Sequence, residues 1–218
     1  MSEVKARFEE LRKMLPSNVS LLAVAKGQKK ESILEAVEAG VTLIGNNYVQ
    51  EGVRLRAELA GKPVEWHFIG HIQSRKAREL LDYQVVQSLD RISVAQDLNE
   101  RLSALSRKLR ILVEVNIGEE KNKSGVLSHD FPAFLAELKK FSHLEVSGLM
   151  GMPPPLANQE ERRPFFKKIH EIYKRHGNDF PFSILSMGTS EDFQVAAQEG
   201  STMVRLGTAL FGPRQKLW

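Results

Sequence analysis

The sequence predicts an α/β fold, a single-domain (β/α)8 TIM barrel over residues 1–218. Short apolar, β-branched or aromatic runs recur at 21–25, 42–44, 65–69, 83–88, 110–116, 144–149, 183–186 and 202–206. Most lack polar alternation, the pattern of parallel strands buried on both faces. Amphipathic stretches separate them, and eight such alternations favour a barrel over an open sheet. No Gly-x-Gly-x-x-Gly follows the first run, which argues against a dinucleotide-binding fold.

The elements follow in order. A charged helix is predicted over 2–14, then helices near 30–39, 48–60, 73–81, 92–107, 130–140, 158–176 and 191–199. Ser32–Val37, Ala95–Leu105 and Phe131–Leu138 carry apolar residues at helical spacing. Met152-Pro-Pro-Pro155 reads as a rigid loop within one domain. Barrels place their chemistry at the C-terminal ends of the strands. Those ends present Lys26, Gly45-Asn46-Asn47, Gly70-His71, Ser88-Leu89-Asp90, Asn116, Met150-Gly151, Met187-Gly188 and Gly207-Thr208.

Composition narrows the function. Hydrophobic residues make up 42% and charged residues 27%, as in a soluble globular protein. The net charge of +4 is spread among charges of both signs, without the dense Lys/Arg block of a nucleic-acid arm. A mild positive field still attracts phosphorylated small molecules. There is no cysteine, so thiol catalysis and disulfides are excluded. No apolar run has the length of a membrane span, and the charged N-terminus is unlike a signal peptide, so the expected location is cytoplasmic.

Two features carry chemistry. Lys26 directly follows the apolar run Leu21–Ala25. Partial desolvation in a barrel mouth disfavours an ammonium, and a neutral amine attacks an aldehyde. At the far end of the chain, Ser186–Ser190 and Gly207-Thr208 are small-residue turns after consecutive strands, suited to cradle a phosphate. A phosphate-bearing aldehyde held on a lysine points to pyridoxal 5'-phosphate. Arg205 lies inside an apolar strand and needs a partner, either a carboxylate or the ring nitrogen of a bound pyridine. Asn46 and Asn47 read either as caps of the next helix or, for Asn47, as a donor to ligand. His67 and His71 lack a third ligand at metal spacing, and His67 is expected inside the barrel. Met187 and Met203 read as packing.

Ala23-Val-Ala-Lys26, Trp66-His-Phe-Ile-Gly-His-Ile-Gln-Ser74, Ser88-Leu-Asp-Arg91, Lys123-Ser-Gly125 and Gly200-Ser-Thr-Met-Val-Arg-Leu-Gly-Thr-Ala-Leu-Phe-Gly212 occur in order along nearly the whole chain. On these strings the chain resembles the pyridoxal phosphate homeostasis family, itself similar to the N-terminal barrel of alanine racemase. The resemblance implies a Schiff base between Lys26 and pyridoxal 5'-phosphate, Arg205 facing the pyridine nitrogen, and Asn47 near the ring. It also implies a phosphate site to which Ser186, Gly207 and Thr208 contribute. It implies cofactor buffering or delivery, with pyridoxal-phosphate-dependent apoenzymes as candidate recipients, an effect on amino-acid balance, and no established turnover. A monomer is expected, since no apolar stripe demands a partner.

The runner-up is a minimal racemase-like enzyme. Racemisation needs a second base, and the short segment after the phosphate turn offers no second domain to supply one. The sequence departs from the family pattern at Ala25, Gly27 and Gln28 around the lysine, at Asn46 in place of a glutamate, and at Gln87 in place of a histidine.

Overall fold

The computed structural model describes residues 2–213. Strands β1 (Ser20–Val24), β2 (Leu43–Asn46), β3 (Glu65–Phe68), β4 (Val85–Leu89) and β5 (Leu109–Asn116) follow one another in a parallel sheet. β6 (Val126–Leu127) is a two-residue strand, and β7 (Leu144–Gly151), β8 (Ile184–Thr189) and β9 (Met203–Leu206) complete the set. β9 pairs with β1 and β4 with β5, so the sheet closes into a barrel whose strands all run the same way. The predicted (β/α)8 architecture is the observed one. β4 and β9 are buried at every position, the polar Gln87, Ser88 and Arg205 included, as strands covered on both faces require.

The outer layer comprises α1 (Glu3–Met14), α2 (Lys30–Glu38), α3 (Val49–Glu58), α4 (Ala77–Leu80), α5 (Ile92–Ala104), α6 (Phe131–Leu138), α7 (Arg163–His176), α8 (Phe193–Gln198) and α9 (Thr208–Phe211). The buried side chains of these helices are apolar. α5, for example, buries Val94, Ala95, Leu98 and Leu102 at helical spacing. Burying each such valine or leucine side chain contributes about 1.5–3 kcal/mol.

The structure redraws four sequence boundaries. β8 runs on to Thr189, so Ser186 lies within the barrel wall and not in a turn after it. β6 pairs with β5 beyond the point where β4 ends, fixing the loop that carries Lys123 and Ser124. The helix expected over 73–81 is a 3-10 turn, Ser74–Lys76, followed by the short α4. Residues 73–75 are exposed, so only Ala77 and Leu80 anchor that stretch. Finally, Gly207-Thr208 opens α9, a helical turn not read in the sequence.

Candidate functional site

A cavity of about 630 Å³ opens at the C-terminal ends of the strands. Of the six residues singled out in the sequence, Lys26, Asn47, Arg205, Gly207 and Thr208 line it. Val24, Ile69, Met150, Met152, Thr189, Ser190, Glu191 and Pro213 complete the wall. The size suits a small phosphorylated ring compound.

Lys26 sits in a turn just past β1, closed by Gln28 N–H donating to the Ala25 carbonyl at 2.9 Å. Gly27 takes φ +69° there, a left-handed conformation that side-chain-bearing residues rarely adopt. Its N–H donates to Glu51 Oε1 of α3 at 2.8 Å, so α3 holds the lysine turn from behind. The half-buried Lys26 places its Nζ 5.1 Å from the ring centroid of the exposed Tyr48. The asparagines do not cap α3, whose N-cap is Tyr48 without a side-chain bond. Asn46 is instead a fully buried strand residue, and Asn47 Oδ1 is buried without a partner beside the cavity. Gly70 is required by close approach: a Cβ there would meet the Asn47 carbonyl oxygen at 2.0 Å.

The opposite wall is the turn after β8. Ser190 Oγ accepts from the backbone N–H groups of Gly207 and Ala209, each at 3.1 Å. With both lone pairs engaged, its O–H is left as a donor at the cavity wall. Asp192 fixes this turn by accepting from Thr189 N–H at 2.6 Å and Thr189 Oγ1 at 3.0 Å. Arg162 clamps Asp192 and Glu191, each at 2.9 Å, and also donates to the Leu156 carbonyl of the proline loop. Sequence reading did not single out Ser190, Asp192 or Glu51. Ser190 lay inside the quoted Ser186–Ser190 segment, and no role was read for either acidic residue.

Arg205 is buried at 4% exposure. Its Nη1 donates to the Ser186 carbonyl at 2.7 Å and to Ser186 Oγ at 2.8 Å, and Nη2 donates to the Gly151 carbonyl at 3.1 Å. Burial lowers its pKa to about 10, against the partial support of Glu114 and Asp192. No carboxylate among the described residues bonds it, so of the two partners read from sequence the first is absent. Ser186 is placed apart from the phosphate turn. It is fully buried, and its hydroxyl holds Arg205 instead of opening on the cavity. Glu114, on β5, has its pKa raised to about 7, first by burial and then by Asp90, with Arg205 opposing.

His67 and His71 do not converge. His67 is fully buried in the barrel, while the exposed His71 pairs through Nδ1 with Ser124 Oγ at 2.9 Å. Among the described residues no cluster of three or more His, Cys, Asp or Glu could hold a metal, and no helix is long and apolar enough to cross a membrane.

The model of the alanine racemase N-terminal domain matches residues 1–215. The chain belongs to this family. Within it, the chain is 38% identical over 218 residues to the pyridoxal phosphate homeostasis protein of Pseudomonas aeruginosa, covering 98% of this chain and 94% of that protein. The protein of the same name from Aquifex aeolicus is 36% identical over 198 residues, covering 89% and 87%. These family members are named as homeostasis proteins, not as enzymes. PipY of Synechococcus elongatus, solved without pyridoxal phosphate, superposes with a TM-score of 0.91 at 32% identity, covering 96% of this chain and all of that one. The structure of PipY with pyridoxal phosphate bound gives 0.89 at 31% identity and the same coverage.

Proposed function

We propose that this chain binds pyridoxal 5'-phosphate in the cavity at the strand ends and serves its homeostasis, buffering or delivering it without catalytic turnover. The observation that carries this is the meeting of the Lys26 amine, the buried Arg205 cation and the Ser190–Gly207–Thr208 turn on one cavity. When bound, the group supplies an electrophilic aldehyde, a pyridine ring and an anionic phosphate.

The residues fit each part. Lys26 is the amine for a Schiff base with the aldehyde. The Ser190 hydroxyl, in the turn after β8, and the Thr208 hydroxyl, at the start of α9, suit the phosphate. Arg205 uses three N–H bonds on Ser186 and Gly151, leaving two of its five for the ring side. An arginine facing the pyridine nitrogen keeps it unprotonated and makes a weaker electron sink, which suits storage better than turnover. Asn47, with its unpartnered buried oxygen, lies beside the ring position. The bound PipY structure and the names of the relatives support the same reading. The proposal extends to a cytoplasmic monomer that passes the cofactor to pyridoxal-phosphate-dependent apoenzymes and thereby influences amino-acid balance.

The test is incubation with pyridoxal 5'-phosphate, borohydride reduction and peptide mapping by mass spectrometry. One pyridoxyl adduct on Lys26, abolished in Lys26→Ala, is the expected result. Label on surface lysines alone, with Lys26 free, sinks the reading. Exchange of an amino-acid α-hydrogen with solvent at a catalytic rate would replace it with the racemase-like one.

A further inference from the structure

The barrel interior contains a continuous series of hydrogen bonds that the cavity reading does not use. Arg205 Nη1 donates to Ser186 Oγ at 2.8 Å, and Ser186 Oγ donates to Gln87 Oε1 at 2.7 Å. Gln87 Nε2 lies 2.7 Å from His67 Nδ1, and His67 Nε2 lies 2.8 Å from Glu65 Oε1. Glu65 Oε2 then meets Arg110 Nη2 at 2.7 Å. Ser186, Gln87 and His67 are all fully buried, so the bonds among them form without competing water, while the Glu65–Arg110 end of the series reaches solvent.

The chemistry of the groups fixes the direction of every bond. Glu65 is ionised, its pKa lowered to about 2 chiefly by His67, against burial and with further help from Arg110. An ionised carboxylate only accepts, so His67 Nε2 carries a proton. Burial disfavours the imidazolium, so His67 is neutral and Nδ1 is a bare acceptor. Gln87 must therefore turn its amide nitrogen to His67. Its position 3.3 Å from the Met203 sulfur agrees, since a carbonyl oxygen there would face a second acceptor. The Gln87 oxygen is then left to accept from Ser186. With its O–H committed, Ser186 can only present a lone pair to Arg205.

We infer that this one-way series positions Arg205, and that Gln87 is the residue that transmits its direction. Both N–H groups of Nη1 are engaged on Ser186, so the plane of the guanidinium is set. The two remaining N–H groups keep a fixed aim. Gln87 and His67 are positioning residues here, because neither lines the cavity. An amide and a neutral imidazole each offer one acceptor and one donor, so Gln87→His can carry the same direction, whereas a leucine carries neither end.

Two experiments test this, the second resting on the proposed pyridoxal phosphate site. In the protein without added ligand, nitrogen-15 NMR of His67, assigned by its loss in His67→Asn, should show the Nε2–H tautomer, unchanged from pH 8 to pH 6. An Nδ1–H tautomer, or an ordinary histidine titration, overturns the series. Pyridoxal 5'-phosphate is then titrated into the parent, Gln87→Leu and Gln87→His. Gln87→Leu should weaken loading about tenfold, as loss of an orienting partner does at other sites, and shift the absorbance band of the bound form. Gln87→His should restore both, and competition by inorganic phosphate should be equal in all three. Equal loading and spectra in the parent and Gln87→Leu, or a matching loss of phosphate competition, refute the positioning role. If the parent itself loads nothing, the cavity reading fails, while the NMR result still decides the series.

Discussion

Two buried arginines sit near the cavity and are treated in opposite ways. Arg162 bonds two carboxylates, Asp192 and Glu191, and they more than offset burial, so its pKa is raised. Arg205 bonds two carbonyls and a hydroxyl, and burial lowers its pKa to about 10. The first is a compensated charge, which ties the β8–α8 turn to the proline loop. The second is a charge held by neutral dipoles, with bonding capacity left over. On the proposed pyridoxal phosphate site, the difference is that Arg205 is anchored without being neutralised, and so keeps its charge for a ligand.

The largest break in this comparison comes from Arg162→Met. It strands Asp192, which is 2% exposed, and should destabilise the protein by about 3–5 kcal/mol in chemical denaturation. A loss below about 1 kcal/mol would mean that the clamp is not structural. Arg205→Met leaves no bonded carboxylate behind and removes a cation that burial disfavours, which offsets part of the cost of the unpaired carbonyls and hydroxyl, so its net stability loss should be smaller, about 1–2 kcal/mol. Its loading with pyridoxal 5'-phosphate should nevertheless fall at least about tenfold, the effect of one charge-assisted bond. Comparable stability losses in the two variants would erase the distinction.

Glu114 sharpens the contrast through pH. Its folded pKa of about 7 lies above the ordinary 4.5, so the folded state keeps a proton that the unfolded chain releases. Its stabilising contribution is therefore complete below about pH 4.5 and is lost as pH rises through 7. Glu114→Gln should be neutral at pH 4 and stabilise on the order of 2 kcal/mol at pH 8, read from denaturation midpoints across pH. A gain at pH 4 as large as at pH 8 would contradict the assignment. The smallest effect is expected of Ser190→Ala, which frees the Gly207 and Ala209 amides and should cost about 1 kcal/mol. Pyridoxal phosphate loading should weaken only severalfold in that variant, and unchanged loading would remove Ser190 from the site.

The alternation of apolar runs with amphipathic stretches determined the barrel, because parallel strands buried on both faces leave no polar period and need helical cover. It likewise placed Lys26, Asn47, Gly207 and Thr208 at strand ends, where a barrel opens. Arg205 was legible as a charge within an apolar strand. Its partners were not, because Ser186 and Gly151 come from other strands and meet it only after closure. Ser186 was read as a turn residue because β8 gives no sign in sequence of continuing to Thr189. Glu51, Asp192 and Gln87 likewise act across elements, over separations of 24, 30 and 20 residues to Gly27, Arg162 and His67. One-dimensional pattern reports which face a residue takes. Which donor meets which acceptor depends on strand register and barrel closure, and only the tertiary structure decides those.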